Sequence, residues 1–217
     1  MGAALKATGR PIVYSLCQYG RFDVAEWGRS VGGHLWRTTG DITDDYRTMS
    51  DIGFVRNPRF PHAGPGGWND PDMLEIGNGG MSDDEYRTHM TLWAMQAAPL
   101  VMGHDLRLTS AAARALLENR EVIAIDQDPR GVQGRPVRKD GDREVWRKEL
   151  ADGAVAVALF NRGDTPAEMT LHLGDAGLRQ IVAARDLWQG RPVSPGASFM
   201  VPPHGALLLR VTGTASH

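Results

Sequence analysis

The pattern of apolar residues changes once along the chain, near Pro129, and this change limits the folds that the 217 residues can adopt. Before it, short apolar runs alternate with stretches of helical periodicity, which is typical of βα units that build a parallel sheet. The predicted strands here are 11–16, 33–36, 73–76 and 99–102. Beyond residue 141, short alternating segments separated by glycine turns predict an antiparallel sandwich, with strands at 143–150, 154–161, 167–173, 181–188, 198–201 and 206–211.

Two helices can be placed from local signals. Ser82 and Glu85 have the spacing of a capping box, and apolar residues then recur at helical spacing, which predicts a helix over 83–98. An alanine- and leucine-rich stretch predicts a second helix over 110–119, with Thr109 as its cap. The segment 121–125 fits either a strand or a continued helix.

Composition excludes several classes of partner. The chain has 24 basic and 26 acidic residues without a block of either sign, so neither nucleic acid nor an anionic membrane is expected to bind. No run approaches the roughly 20 apolar residues of a membrane span. Cys17 is the only cysteine and the seven histidines show no ligand spacing, so we expect no metal, no cofactor and no intrachain disulfide.

Two tracts carry an unusual density of glycine, proline, tryptophan and acid. One runs over 34–41 and contains Arg37 and Asp41, and the other runs over 63–73 and contains Asp70 and Asp72. Glycine and proline fix an irregular backbone there, and the charged groups suit a polar ligand rich in hydroxyl groups. The two tracts therefore predict a sugar-binding site.

Together with the segments 14–19 and 122–129, these tracts resemble, in the same order along nearly the whole chain, the α-galactosidase (melibiase) family of retaining glycoside hydrolases, family twenty-seven of clan D. Members of that family begin with an eight-stranded barrel and end with a small β domain. A complete (β/α)₈ barrel takes about 250 residues. The resemblance thus implies an α/β chain that holds the carboxyl-terminal half of a (β/α)₈ TIM barrel, followed by a small antiparallel β-sandwich.

The expected domain bounds follow from this. Residues 1–130 form the partial barrel, 131–142 the linker, 143–213 the sandwich and 214–217 a tail.

The resemblance also implies roles for site residues. Asp41 matches the acid/base of the family, Arg37 an arginine that contacts the sugar, and Asp72 and Met73 positions that line the galactose pocket. Asp72 is expected to accept a hydrogen bond from a ring hydroxyl.

A second group of expected substrate contacts follows the first strand. Cys17 matches a position that reads the sugar edge near its 2-position, followed by Gln18, where a glutamate is common, and Tyr19, where many members carry tryptophan.

Structural alternatives stand beside these roles. Arg37 and Asp41 could form a salt bridge within a loop, and Cys17 could be a small buried apolar residue. Trp68 is expected to pack rather than to stack on a sugar, and Asp70 to support a turn.

The chemistry of the family needs two carboxylates, and one is not expected here. A retaining glycosidase uses a nucleophile and an acid/base about 5 Å apart. The nucleophile of the family lies in a Lys-x-Asp segment, and the 217 residues contain no such segment. We therefore predict a fragment of an α-galactosidase that needs the amino-terminal half of the barrel and has no meaningful activity alone.

Other functions remain open at this point. Relatives that act on α-N-acetylgalactosamine, β-L-arabinopyranose or glucose-type linkages are alternatives, although the bulk of Tyr19 and Phe22 favours a sugar without a 2-acetamido group. A non-catalytic carbohydrate-binding remnant is the alternative from another class. Secretion, or a periplasmic location, would need a signal peptide ahead of Met1.

Overall fold

The structure of the chain is a computed structural model that describes residues 1–215. Its amino-terminal part contains a parallel sheet of three short strands in the order β1 (Ser15–Leu16), β2 (Leu35–Arg37) and β3 (Trp68–Asp70). The six helices of this part, in chain order, are α1 (Gly2–Ala7), α2 (Val24–Trp27), α3 (Tyr46–Ser50), α4 (Asp83–Met95), α5 (Ala111–Leu117) and α6 (Arg120–Asp126). A π-helical turn, Asp51–Arg56, continues α3.

Helix α4 begins where the capping box predicts. The Ser82 hydroxyl accepts the Glu85 backbone N–H at 3.3 Å, and the Glu85 carboxylate accepts the Ser82 N–H at 2.7 Å. The helix ends at Met95, three residues before the predicted end. Nine of its residues are buried, all from Tyr86 onward, so packing anchors the helix beyond its first turn.

The cap of α5 was predicted wrongly. Ser110 accepts the Ala113 N–H at 3.1 Å, whereas the Thr109 hydroxyl donates backwards to the Leu106 carbonyl at 2.9 Å. The segment that fitted either a strand or a helix is α6, which begins after Asn119, whose side chain accepts two backbone N–H groups.

The predicted strand over 73–76 is also wrong. The third strand is β3, which pairs with β2 so that Arg37 lies opposite Asp70. Pro71 has no N–H to extend the ladder, and Asp72 has a φ of +90°, so the chain turns immediately after β3. Within 73–76 and 99–102, only Leu74 and Met102 form a bridge.

The carboxyl-terminal part is an antiparallel sandwich, as predicted. Its larger sheet has the order β4-β5-β6-β11-β8-β9, and its smaller sheet pairs β10 with β7. The strand bounds are β4 Arg135–Asp140, β5 Arg143–Glu149, β6 Val155–Asn161, β7 Ala167–Thr170, β8 Leu178–Asp186, β9 Arg191–Val193, β10 Ser198–Val201 and β11 Ala206–Ala215. Strand β4 lies inside the stretch predicted as a linker, and β9 and the short helix α7 (Leu173–Ala176) were not predicted.

Strand β6 shows how the two parts pack together. All seven of its residues are buried, because the strand has a hydrophobic neighbour on each face. Ala156, Ala158 and Phe160 join the cluster formed with α4 and the π-helical turn, whereas Val155, Val157 and Leu159 join the core between the two sheets. The large sheet therefore lies between the helices and the small sheet.

Among residues 1–215, no helix combines the length and the apolar character that a membrane span requires.

Candidate active site

The predicted site residues gather at the carboxyl ends of the three parallel strands. Arg37 and Asp70 are the last residues of β2 and β3, and Cys17 follows β1 directly. Because neighbouring parallel strands run in the same direction, their carboxyl ends meet at one edge of the sheet. Asp41 lies in the loop that leaves β2 at this edge.

Arg37 is the centre of the cluster. Its Nη2 lies 2.7 Å from Oδ2 of Asp72 and 3.1 Å from Oδ1 of Asp41. The side chains of Arg37 and Asp72 are 9% and 8% exposed, whereas that of Asp41 is 71% exposed. One buried guanidinium therefore holds one buried carboxylate and one that solvent or a ligand can reach.

Asp72 joins the end of β3 to the Asp41 loop. Its Oδ2 also accepts the Ile42 backbone N–H at 2.9 Å, and its Oδ1 accepts the Met73 N–H at 2.8 Å. The indole of Trp93 on α4 donates to the Asp72 carbonyl at 2.8 Å, which fixes the backbone at its positive φ. With these partners Asp72 anchors the loop, and its contact with a sugar hydroxyl stays a prediction.

Asp70 lies in the turn that follows β3. Its Oδ1 accepts the Asp72 N–H at 2.9 Å, the Asx-type contact expected of a residue that supports a turn. Burial raises the pKa of Asp70, against the opposing effects of that N–H and of Arg37. The half-buried Trp68 lies next to Gly131, where a Cβ atom would come within 2.9 Å of its ring.

The segment after β1 forms the other wall of the site. Cys17 is exposed, so the alternative of a buried apolar residue is wrong, and its Sγ lies 4.0 Å from Nη1 of Arg37. The ring of Tyr19 lies 5.5 Å from the Arg37 guanidinium and is partly exposed. A hydrogen bond with the Cys17 thiol and the nearby Asp41 carboxylate raise the pKa of Tyr19. Gln18, which lies between Cys17 and Tyr19 in the chain, is half-buried.

The backbone of this segment is strained. Four residues, Tyr19, Gly20, Phe22 and Asp23, have positive φ values between 52° and 71°. Only the glycine adopts this conformation without cost, and strain of this kind clusters at functional sites. The Gly20 N–H donates to the Arg37 carbonyl at 2.8 Å, which ties the strained turn to β2.

Met73, which follows Asp72, is 40% exposed. Its sulfur lies close to Gly103, where a Cβ atom would come within 2.5 Å of it. Gly103 therefore leaves the space that this side chain occupies.

The groups that hold the far end of the Asp41 loop are not among the predicted site residues. Oδ1 and Oδ2 of Asp44 accept the Tyr86 hydroxyl at 2.9 and 3.0 Å, and Oδ2 also accepts the Gly80 N–H at 2.5 Å. The pair of aspartates at 44 and 45, shortly after the tract 34–41, is the signal that could have indicated them. Both ends of the loop are thus fixed by buried or half-buried polar contacts.

Within the part of the chain that the structure describes, no group of three histidine, cysteine, aspartate or glutamate side chains is arranged to hold a metal ion.

Two family models match the chain. The model described as "Alpha galactosidase A" matches residues 1–128, and the one described as "Alpha galactosidase C-terminal beta sandwich domain" matches residues 140–211.

Curated relatives are similar over most of the chain. The α-galactosidase of Cyamopsis tetragonoloba is 48% identical over 191 residues, which are 87% of this chain and 46% of the relative. The α-galactosidase of Coffea arabica is 50% identical over 190 residues, which are 87% of this chain and 50% of the relative. The chain therefore spans about half the length of the curated relatives that it matches.

A solved structure is also similar to the whole chain, and the chain again covers only part of it. The crystal structure of α-galactosidase I from Mortierella vinacea superposes with a TM-score of 0.91 at 30% identity, over 100% of this chain and 62% of that one.

Proposed function

The chain belongs to the α-galactosidase family of glycoside hydrolases, and we propose that it is the carboxyl-terminal part of an enzyme that hydrolyses terminal α-D-galactosyl residues with retention. The observation that carries this proposal is the arrangement around Arg37. An exposed carboxylate, Asp41, and a buried one, Asp72, share its Nη2 at the carboxyl end of a parallel sheet. In barrel enzymes the active site is built at this end of the strands.

Asp41 is the acid/base in this proposal. In the first step its carboxyl group gives a proton to the glycosidic oxygen, so that the C–O bond to the leaving group breaks as the nucleophile bonds to the anomeric carbon. In the second step its carboxylate takes a proton from water, whose oxygen then displaces the enzyme carboxylate. Its exposure fits this role, because the group must reach both the leaving oxygen and water.

Asp72 does not fit the role of the nucleophile. Both of its oxygens already accept hydrogen bonds from backbone N–H groups, and its side chain is buried against Arg37. A nucleophile has to present an unshielded oxygen to the anomeric carbon. We therefore assign the nucleophile to the amino-terminal half of the barrel, which is the partner that this site requires.

The proposed substrate-binding residues are Arg37, Cys17, Gln18, Tyr19, Asp72 and Met73. The Tyr19 ring lies beside Arg37, and the exposed Phe22 follows in the same strained segment. Their bulk favours galactose over a sugar with a 2-acetamido group.

The test is to assay the purified chain on p-nitrophenyl α-galactoside, alone and co-expressed with the amino-terminal barrel half of the coffee relative. We expect no turnover from the chain alone and hydrolysis from the reconstituted pair. Asp41→Asn should lower kcat of the pair about 10²- to 10⁴-fold, the range that general acid–base catalysis contributes. The exposed Asp142→Asn is the control and should leave kcat unchanged.

Clear hydrolysis by the chain alone would contradict the assignment of the nucleophile. A folded reconstituted pair that binds galactose without hydrolysis would instead favour the carbohydrate-binding alternative.

A further inference from the structure

A histidine of the sandwich reaches back to the barrel part. His204 lies in the turn between β10 and β11 and has a φ of +54°, which is uncommon for a residue with a side chain. Its N–H donates to the Gly163 carbonyl at 3.2 Å, and its carbonyl accepts the Thr88 hydroxyl of α4 at 2.6 Å. The strained turn is thus held by both parts of the molecule.

The imidazole ring has a partner at each nitrogen and on one face. Nδ1 lies 2.8 Å from Oε1 of Glu85, and Nε2 lies 3.0 Å from Oδ1 of Asp164. The ring stacks on Tyr46 with the centroids 3.8 Å apart and the planes 9° from parallel. Burial raises the pKa of Tyr46 to about 12, so its ring is an uncharged platform at ordinary pH.

The carboxylate at Nδ1 is itself tightly held. Burial would raise the pKa of Glu85, but hydrogen bonds from the Ser82 N–H and from His204 hold it below its ordinary value. The same carboxylate closes the capping box of α4. His204 therefore binds a fixed, negatively charged point on the barrel part.

These contacts meet the loop that carries Asp41. Tyr46 is the first residue of α3, which begins where this loop ends, and the neighbouring Asp45 caps the helix through the Thr48 N–H at 2.8 Å. Tyr86, next to Glu85 in the chain, holds Asp44. The ring of His204 thus contacts the segment 41–46 at its last residue, Tyr46, whereas Asp72 contacts the same segment at Ile42.

We propose that His204 is a positioning residue through which the sandwich sets the placement of the Asp41 carboxyl group. The inference rests on the proposed function, because it concerns the acid/base of that reaction. The stacked ring blocks movement of Tyr46, and its two carboxylate partners fix the ring in the plane that stacking needs. The sandwich would then contribute to proton transfer without touching the substrate.

The first test uses the reconstituted enzyme with two α-galactosides. Raffinose has a poor leaving group that needs a proton from Asp41, whereas a dinitrophenyl α-galactoside departs without one. We expect His204→Phe, which keeps a stacking ring but loses both hydrogen bonds, to lower kcat/KM on raffinose about tenfold, a fraction of the full general-acid contribution. The kcat/KM on the dinitrophenyl substrate should change less than twofold, because it reports only the first step, in which that leaving group needs no proton.

The conservative variant and a control complete this test. His204→Asn tolerates the positive φ and should keep part of the activity if the phenylalanine variant fails to fold. His172→Phe, at the start of α7 in the sandwich, is the matched control and should leave both substrates unaffected. An equal loss of kcat/KM on both substrates, or no loss on raffinose, would overturn the inference.

The second test does not need activity. In the mixture with the amino-terminal barrel half, hydrogen exchange of the chain should become faster over residues 41–46 in His204→Phe, while β6 exchanges as before. Unchanged exchange in that segment would overturn the positioning role. If the unmodified reconstituted pair has no activity, the proposed function fails, and this measurement still decides whether His204 fixes the loop.

Discussion

The barrel part and the sandwich differ in how much of their structure they complete by themselves. The three parallel strands hold two or three residues each, and β1 and β3 both lie at an edge of their sheet. In the sandwich, β5 and β6 pair over seven residues, and a second sheet covers the outer face of the first. The sandwich also has edge strands, β4 and β9, but its inner strands are long and covered, whereas the parallel sheet has two edges around a single inner strand. Unpaired strand edges need a partner, so the region that carries the candidate site is the one that depends more on further structure.

The distribution of exposed apolar side chains supports the same distinction. Among the residues that the structure describes, most large exposed apolar side chains belong to the barrel part, including Val13, Phe22, Val101 and Leu108. The barrel part therefore leaves more apolar side chains without a neighbour than the sandwich does. We therefore expect self-association or a loosely ordered barrel part until the amino-terminal half is supplied.

The largest expected effect on stability is at the joint between the two regions. Phe160 packs edge-to-face on Phe54, with the ring centroids 5.0 Å apart, and is fully buried. Phe160→Ala should lower the free energy of unfolding by about 3–5 kcal/mol in a urea titration. Phe199→Ala, at a half-buried position of β10, is the control and should cost less than half as much. Equal losses in the free energy of unfolding would mean that packing between the two regions contributes no more than a half-buried contact within the sandwich.

A pH effect is expected at the same joint. Burial raises the pKa of Asp126 to about 7, and burial lowers that of Lys148, whose Nζ donates to the Ala94 carbonyl, to about 8. The folded state holds the Asp126 proton more tightly than the unfolded state, so stability from this group falls as the pH rises from about 4 to about 7. Relative to Asp126→Asn, the unmodified chain should lose about 2.5 kcal/mol between pH 5 and pH 7.5, at about 1.4 kcal/mol per pH unit up to the folded pKa.

Urea titrations at pH 5 and pH 7.5 measure this difference, with the exposed Asp142→Asn as the control. A constant difference between the unmodified chain and Asp126→Asn would show that Asp126 does not change its protonation on folding.

A smaller effect is expected at the start of α4. Ser82→Ala removes the side chain that accepts the Glu85 N–H and should cost about 1 kcal/mol. Because α4 packs on the large sheet, the loss should appear in the main unfolding transition. Ser194→Ala, in an exposed turn, should have no measurable effect; a cost equal to that of Ser82→Ala would argue against the capping box.

The smallest expected effect concerns an ion pair at the surface. Glu121 of α6 and Arg185 of β8 lie 2.6 Å apart, and both are more than one third exposed. Such pairs contribute about 0–1 kcal/mol because solvent screens them. Glu121→Gln should therefore change the unfolding midpoint little, and less in high salt. A larger change would mean that this contact couples the two regions.

Features with a local cause could be predicted from the sequence. The capping box of α4 involves residues three apart, and the continuous apolar run of β6 reports burial on both faces. Strand β3 could not be predicted, because its three residues are extended only through pairing with β2. Strand β4 could not either, since its sequence Arg-Pro-Val-Arg-Lys-Asp has neither an apolar run nor alternation and the strand lies at an edge.

In the candidate site too, some features could be predicted from the sequence, whereas others depend on contacts between distant residues. The family resemblance assigned Arg37, Asp41 and Asp72 to one sugar site. In the structure, the carboxylates of Asp41 and Asp72 both contact the guanidinium of Arg37. The positive φ of Asp72, its contact with the Ile42 N–H and the stacking of His204 on Tyr46 depend on residues far apart in the chain. No local pattern encodes such contacts.

Hydrogen exchange of the chain, alone and with the amino-terminal barrel half, tests the contrast between the two regions most directly. We expect β6 and β11 to be protected in both samples, and β1 to β3 with the Asp41 loop to gain strong protection only in the mixture. Protection of β1 to β3 in the chain alone, equal to that of β6, would contradict the account, because it would show that the candidate site is complete without a partner.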